Sequence, residues 1–469
     1  MRINPEFRRN VWVQFTWTRL LAVPLLTVIA CYGYLLISEY DYRSLQNAAE
    51  LIGGGVIIGL LGTRRAADAL AEEVSGGTWE SQRMSGLGAW QMTWGKLLGS
   101  TAFNWYCAAI ALLVVLWSSN RIEALGGIGR AAPEVIFDFT VGGSMAQATA
   151  FAIALILMRK AARFRRLTIT LAQSCGFLLY FFLVRGGFDT HGAARFHAGT
   201  FPLGGTVIWY GEAYDGQVFR LVLLTAACAW AILGAYRLMR IELQYRSQPW
   251  IWTLFLVFVA VLVAGFPPSP QLGYVFLALI VLTYAGFFAD NRDPVRYRWT
   301  LLSLRERNWP EVFAGIPWWL IGYVLTAAVA ITMALILPAG IYVTDVPDDA
   351  PPAIKMAALV PRHLSVSLIL TLLFTLRDLL VMLWFSCSPW RAKADVAGII
   401  YLALVYWPLA AILWVSGGQR LLPVVVPIAT GNPGVDFVPI AIELAFASFL
   451  FYARWREITR LKRTSARAR

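Results

Sequence analysis

The chain is 469 residues long, 58% hydrophobic and only 14% charged, which excludes one or two water-soluble domains of that length. A net charge of +13 would direct a soluble protein toward nucleic acid, but here the basic residues gather in the gaps between apolar runs, so no nucleic-acid partner is implied. The five cysteines, Cys31, Cys107, Cys175, Cys228 and Cys387, lie in or at the ends of those runs without C-x-x-C spacing, which excludes a disulfide framework and a thiolate metal site.

One span of a bilayer needs roughly 20 apolar residues, and about twelve runs qualify. In chain order they are 11–37, 45–63, 97–117, 135–158, 167–184 and 218–238, then 250–266, 272–288, 318–337, 364–385, 396–415 and 437–452. The fold expected is an all-α polytopic membrane protein. The first run is long and lacks a small-residue cleavage site, so no cleavable signal peptide is expected. Basic clusters such as RKAARFRR and the tail RWREITRLKRTSARAR fall on the side of the N-terminus, whereas EYDY and DVPDD fall on the other. The positive-inside rule then puts both termini in the cytoplasm, with the tail serving as a topology anchor or touching anionic lipid.

The runs divide as six plus six near Ile241, with loops of the same character in the same order, so residues 1–240 and 241–469 read as two related six-helix bundles. FRRNVWV near the N-terminus is similar to YRSQPWI at 245–251, and Trp79–Gly95 has the same sixteen-residue separation as Trp299–Gly315. Before the sixth and twelfth runs lie two Gly- and Pro-containing outer segments, which suit either a re-entrant or interfacial hairpin or an ordinary exposed loop. The first holds Asp189, His191 and His197; the six-residue His spacing is no ligand pattern, and loop histidines are the simpler reading.

The cytoplasmic segment after the second run reads SGGTWESQRMSGLGAWQMTWGKLLG at 75–99. RRAADALAEE should carry a helix out of the bilayer, and Gly76-Gly77 should end it. Thr78 then suits a cap, and Met84, Leu87, Trp90, Trp94 and Leu98 recur at helical steps, giving a short helix with one tryptophan-bearing face. Two readings fit: an interfacial helix whose Arg83 and Lys96 reach headgroups, or a knob that docks in a partner's groove.

These residues resemble the segment between the second and third spans of permease subunits of ATP-binding-cassette exporters of the type-two class. The resembling elements are Glu72 or Glu73, then Gly77-Thr78-Trp79-Glu80, then Gly95-Lys96-Leu97, with NPEFRRNVWVQF as the family's interfacial entry helix. The resemblance implies a coupling helix in which Thr78, Trp79, Glu80, Arg83, Trp90 and Lys96 meet a cytoplasmic ATPase. It implies two fused six-span halves in a bacterial inner membrane, two copies of a separate cassette ATPase, and an exported substrate of unknown identity. The second-half segment ADNRDPVRYRWTLLSLRERNWPEVFAGIPWW lacks the Gly-Thr-x-Glu and Gly-Lys elements and is interrupted by Pro310; Trp299, Arg305 and Trp309 are its candidate contacts. The chain has no P-loop, because Gly95-Lys96 is followed by Leu97, so no cofactor is expected on it and ATP and Mg would belong to the partner.

Ionisable residues inside spans are functional candidates by default. Arg377 and Asp378 sit together in LLFTLRDLLVML, Glu443 lies in the twelfth run, Glu50 in the second, and Asp138 and Arg220 near outer ends. Arg377 and Asp378 read either as a structural pair or as a substrate contact or proton relay. No catalytic motif is evident, so an enzyme is not expected. The alternatives to an ATP-driven permease are an ion-gradient-driven carrier using Asp378 and Glu443, and a transmitter that passes ATP-driven movement to a periplasmic partner. The charge asymmetry makes one direct prediction: an alkaline phosphatase reporter fused to either terminus stays inactive, while one inserted in the DVPDD segment is active.

Overall fold

The computed structural model describes the chain except residues 1–3, 125, 127–131, 162–164, 185–205, 246–248, 267–270, 291, 337–363, 389–393, 418–420, 428, 431 and 468–469. The protein is a helical, multi-pass membrane protein with two compact units, Met1–Ser247 and Gln248–Arg469. Among the described residues ten helices are long and apolar enough to cross a bilayer, or eleven if the bent pair Gly273–Ala289 and Pro294–Arg305 is one span. The count falls short of twelve partly because the seventh run forms a helix of only 15 residues, Trp250–Ala264. His191, His197 and Asp189 lie outside the described residues.

The first unit opens with α1 (Pro5–Gln14), set by Asn4, whose side chain accepts the Glu6 N–H, and by Pro5 at the first helical position. A break at Phe15-Thr16 separates it from α2 (Trp17–Ile37), so the first apolar run is a short helix plus a span. The second span is one rod, Tyr42–Ser75. Within it α3 (Tyr42–Glu50) passes through a π-helical stretch, Leu51–Gly62, into α4 (Thr63–Ser75). The wider π turn misaligns backbone carbonyls, and side chains from neighbouring helices meet them: Asn104 donates to the Ile57 carbonyl at 3.3 Å and Gln173 to that of Leu60 at 3.1 Å.

Then follow α5 (Trp79–Arg83), α6 (Ala89–Ala124), α7 (Ala132–Phe137), a π turn at Asp138–Gly142, α8 (Gly143–Ala161), α9 (Arg165–Val184) and α10 (Gly216–Glu242). The described part of the outer segment is a β-hairpin, β1 (Thr206–Trp209) and β2 (Glu212–Asp215), joined by Tyr210 and Gly211, both at positive φ. It leads into α10 through Asp215, which caps the N–H groups of Gln217 and Val218. Helices in a bilayer gain little from apolar burial against one another, so close approach through small residues carries the packing. Accordingly Ala66, Ala67 and Ala71 of α4 are buried, as are Ala146, Ala150 and Ala154 of α8, which packs along it.

The second unit contains α11 (Trp250–Ala264), α12 (Gln271–Ala289), α13 (Pro294–Arg305), α14 (Trp309–Gly315) and α15 (Trp318–Ile336). After them come α16 (Leu364–Cys387), α17 (Ala394–Leu404) continued by a π turn at Val405–Leu409, α18 (Ala410–Val415), α19 (Leu422–Val425) and α20 (Pro433–Arg467). Pro310 does not interrupt a helix: it occupies the first turn of α14, where its missing N–H is not needed. The break falls instead at Glu306–Asn308, with Arg307 at φ 56°.

One contact organises the end of the first unit that holds α1 and the start of α6. α1 lies along the first turns of α6, and a Cβ at Gly95 would stand 2.8 Å from Glu6 Cβ, one at Gly99 2.9 Å from Asn10 Cβ. Gly95 and Gly99 are one turn apart, so together they make the groove in which α1 sits. Gly95→Val with Gly99→Val should therefore lift α1 off α6 at a cost of about 1–3 kcal/mol per site, read as a lower melting temperature in detergent and faster proteolysis after Arg8 or Arg9.

Candidate functional site

The segment at 75–99 is not the single short helix that its periodicity suggests. α4 ends at Ser75, Gly77 turns the chain at φ +68°, α5 makes barely more than one turn, and residues 84–88 separate it from α6. Gly86 and Gly88 explain the break, since two glycines in five residues cost more backbone entropy than an isolated turn recovers. Beyond it Trp90 and Trp94 belong to α6, whose 36 residues span roughly 54 Å at 1.5 Å per residue, longer than a hydrocarbon core of about 30 Å. Thr78 stands at the start of α5, but its hydroxyl donates to the Glu73 carbonyl at 3.3 Å and does not cap the helix.

Lys96 is 1% exposed. Its ammonium pairs with Glu73, lies 3.2 Å from Glu6 Oε1 and donates to Gln82 Oε1 at 2.7 Å. Arg9 joins the same two carboxylates, at 2.9 Å from Glu6 and 2.7 Å from Glu73, while Gln82 also donates to Glu73 at 2.7 Å. The Trp79 ring covers the cluster, with Lys96 Nζ 5.4 Å from its centroid. Two cations thus balance two carboxylates in a site that takes residues from α1, α4, α5 and α6. Asn4 donates to the Gln91 carbonyl at 2.6 Å and Gln14 to those of Gly99 and Ser100, which ties α1 to α6 on either side of the cluster.

The candidate contact residues therefore separate into two sets. Lys96 and Trp79 face inward, and Arg83 is half-buried and paired with Glu80 at 3.0 Å. Thr78 and Glu80 are exposed, Met84 is 88% exposed, and Trp90 is half-exposed, edge-on to Trp94 and Tyr236. Of the two acidic residues offered by the resemblance, Glu73 points into the cluster and Glu72 is exposed. Glu6, Arg9 and Gln82 were not legible as partners; the one signal was that a lysine in the apolar face of α6 must find a carboxylate somewhere.

In the second unit Trp299, Arg305 and Trp309 are all exposed. Trp299 lines a pocket of about 250 Å³ with Arg298, Leu302 and Trp455, and Trp309 lies 6.5 Å from Phe313. The tie in this unit is of another kind: Asp290 accepts from Arg296 at 3.0 Å and from the Trp318 N–H at 3.2 Å, and a Cβ at Gly315 would collide with Thr300.

A second polar cluster lies within the spans. Arg377 and Asp378 of α16 pair with each other, and Asp378, fully buried, accepts five hydrogen bonds: from Arg377 Nε and Nη2 and Tyr401 on one oxygen, and from Tyr284 and Tyr406 on the other, all at 2.7–3.0 Å. Arg377 also donates to Glu443 at 2.6 Å and stacks on Phe374 at 4.5 Å. Residues five apart diverge around an α-helix, but the π turn at Val405–Leu409 brings Tyr406 toward the side that Tyr401 occupies; Pro408, which lacks an N–H, sits in that turn. In the first unit Asp138 and Arg220 form a buried pair at 2.6 Å, linking the π turn after α7 to α10, and Glu50 is buried beside Gln46.

Among the described residues no group of His, Cys, Asp and Glu is arranged to hold a metal ion. Comparison with family models, curated proteins and solved structures returns no match.

Lys96→Met should cost roughly 3–5 kcal/mol because it leaves Glu6 and Glu73 buried beside a single arginine, whereas Lys96→Met with Glu73→Gln should recover part of that loss in a thermal-unfolding cycle. In the spans, Asp378→Asn should lower the melting temperature further than Glu443→Gln, because Asp378 holds five donors and Glu443 is a partly exposed acceptor from Arg377.

Proposed function

We propose that the chain is the membrane-spanning permease of an ATP-driven exporter of the type-two cassette class, energised by two copies of a separate ATPase that dock on its cytoplasmic face. In this reading the two units are related six-span halves fused into one chain of twelve spans, with both termini in the cytoplasm of a bacterial inner membrane. ATP and Mg act on the partner, and this chain is a transport subunit without hydrolytic chemistry of its own.

The observation that carries the reading is the exposed tip at Thr78, Glu80 and Met84, held at the end of an element whose other side is locked by Lys96. Met84 is 88% exposed, and a flexible apolar side chain at such a turn suits a partner's groove. A push on α5 would reach Gln82 and Trp79, and through Lys96 and Glu73 it would reach α1, α4 and α6 together. The lock thus supplies a rigid lever between the ATPase and the spans. The unlike second-unit segment, with Trp299 and Trp309 exposed where Trp79 is buried, fits two ATPase contacts of different strength.

The gradient-driven reading draws less support from Asp378, which is fully buried and held by five hydrogen bonds from the chain's own side chains, so that no face of it is open to a passing ion.

The test is co-purification of the full chain with a cassette ATPase encoded beside it. Glu80→Lys with Met84→Asp should weaken ATPase binding tenfold or more, about 1.4 kcal/mol, and abolish stimulation of ATP hydrolysis without shifting the melting temperature. Unchanged binding defeats the docking assignment. Substrate movement in ATP-depleted vesicles holding a proton gradient would favour the carrier, and ATPase binding without any substrate movement the transmitter.

A further inference from the structure

The first unit carries a groove of about 380 Å³ that the proposed coupling does not use. Its wall is apolar, made by Ile57 and Leu61 of the π-helical stretch and Phe103 and Cys107 of α6. Asn104, which also lines it, is engaged by the Ile57 carbonyl. At the cytoplasmic-side end of the apolar run the groove is bounded by Arg64 and Arg65, both exposed. Neither has an ion-pair partner among the described residues, in contrast to Arg9, Arg83, Arg165, Arg220 and Arg377.

The one acid at the groove is already neutralised, because Asp68 pairs with Arg165 at 2.7 Å. Arg19 adds a further positive charge beside the wall, with its guanidinium 5.9 Å from the Phe103 centroid. The groove therefore presents uncompensated positive charge at a membrane interface, continuous with an apolar surface that runs into the hydrocarbon.

We propose that this groove is a binding site for an anionic glycerophospholipid, with its phosphate held by Arg64 and Arg65 and one acyl chain laid along Ile57, Leu61 and Phe103. Charge complementarity selects an anionic headgroup over a zwitterionic one, and two adjacent guanidiniums, each with paired N–H donors, match phosphate oxygens. The apolar wall selects a lipid over a soluble phosphate, which gains nothing from Ile57 or Phe103. Bound there, the lipid would bridge α4 to α6 beside the Asn104–Ile57 hydrogen bond. The site is independent of whether the chain is an ATP-driven permease.

The experiment is native mass spectrometry of the full chain, delipidated in detergent and titrated with phosphatidylglycerol, phosphatidylcholine or glycerol 3-phosphate. One phosphatidylglycerol should bind in preference to phosphatidylcholine, and glycerol 3-phosphate should neither bind nor compete. Arg64→Gln with Arg65→Gln should weaken that binding about 25-fold, about fivefold for each arginine. Arg305→Gln with Arg307→Gln, which removes the same charge from the second unit, should leave it unchanged. Cys107→Phe, which fills the wall and keeps both arginines, should also weaken it, and this protects the result against a folding artefact in the double variant. Equal losses in both arginine pairs would show diffuse attraction only and overturn the proposal. So would lipid retention unchanged in the Arg64 and Arg65 variant, or competition by glycerol 3-phosphate.

Discussion

The burial of one lysine sets the architecture of the end of the first unit where α1, α4, α5 and α6 meet. Removing the Lys96 ammonium from water costs several kcal/mol, and only carboxylates brought close enough can offset that cost. Glu73 and Glu6 do so from opposite sides, which requires α4 to turn back at Gly77 and α1 to lie within van der Waals contact of α6. Gly95 and Gly99 are glycines for this reason: the helix that carries the lysine must also admit the helix that carries Glu6. Arg9 completes the neutrality of the group, so that four elements distant in the sequence share one electrostatic site.

The cluster at Asp378 works by the same rule in a harsher solvent. Within the spans no water is at hand to complete a carboxylate's hydrogen bonds, so three tyrosines and an arginine complete them. The outcome is a fixed carboxyl group that joins α12, α16 and the π turn after α17, with Glu443 of α20 reached through Arg377. Both clusters pin helices together in an environment where apolar burial discriminates little between one packing and another. They differ in make-up: the Lys96 cluster sets two basic side chains against two carboxyl groups, whereas Arg377 is shared between Asp378 and the partly exposed Glu443.

The residues singled out by pattern were found more readily than their roles. Trp79 and Trp90 read alike in sequence, yet one covers the lysine and the other lies half-exposed against Trp94 and Tyr236. Helical steps from Met84 to Leu98 suggested one amphipathic helix because periodicity does not register the entropy of Gly86 and Gly88, and Pro310 read as an interruption because its place in a first turn depends on where the chain bends. Arg377 and Asp378 were visible as charges in an apolar run, but their partners Tyr284, Tyr401 and Tyr406 were indistinguishable from the other aromatics of the spans. The π turn that aligns Tyr406 has no signature beyond Pro408.

Composition and charge asymmetry alone determined that this is a helical, multi-pass membrane protein, because a chain 58% hydrophobic and 14% charged has no other way to satisfy its backbone in so much apolar sequence. Local sequence also determined where helices start and stop at Asn4, Gly77 and Asp215, since caps and positive-φ turns act over a few residues. Tertiary structure alone decided that Lys96 faces two carboxylates rather than headgroups or a partner, and that Arg64 and Arg65 have no ion-pair partner among the described residues. Those outcomes depend on which helices come within a few ångströms of each other, and pairings across 23 to 90 residues of chain leave no periodic trace in the sequence.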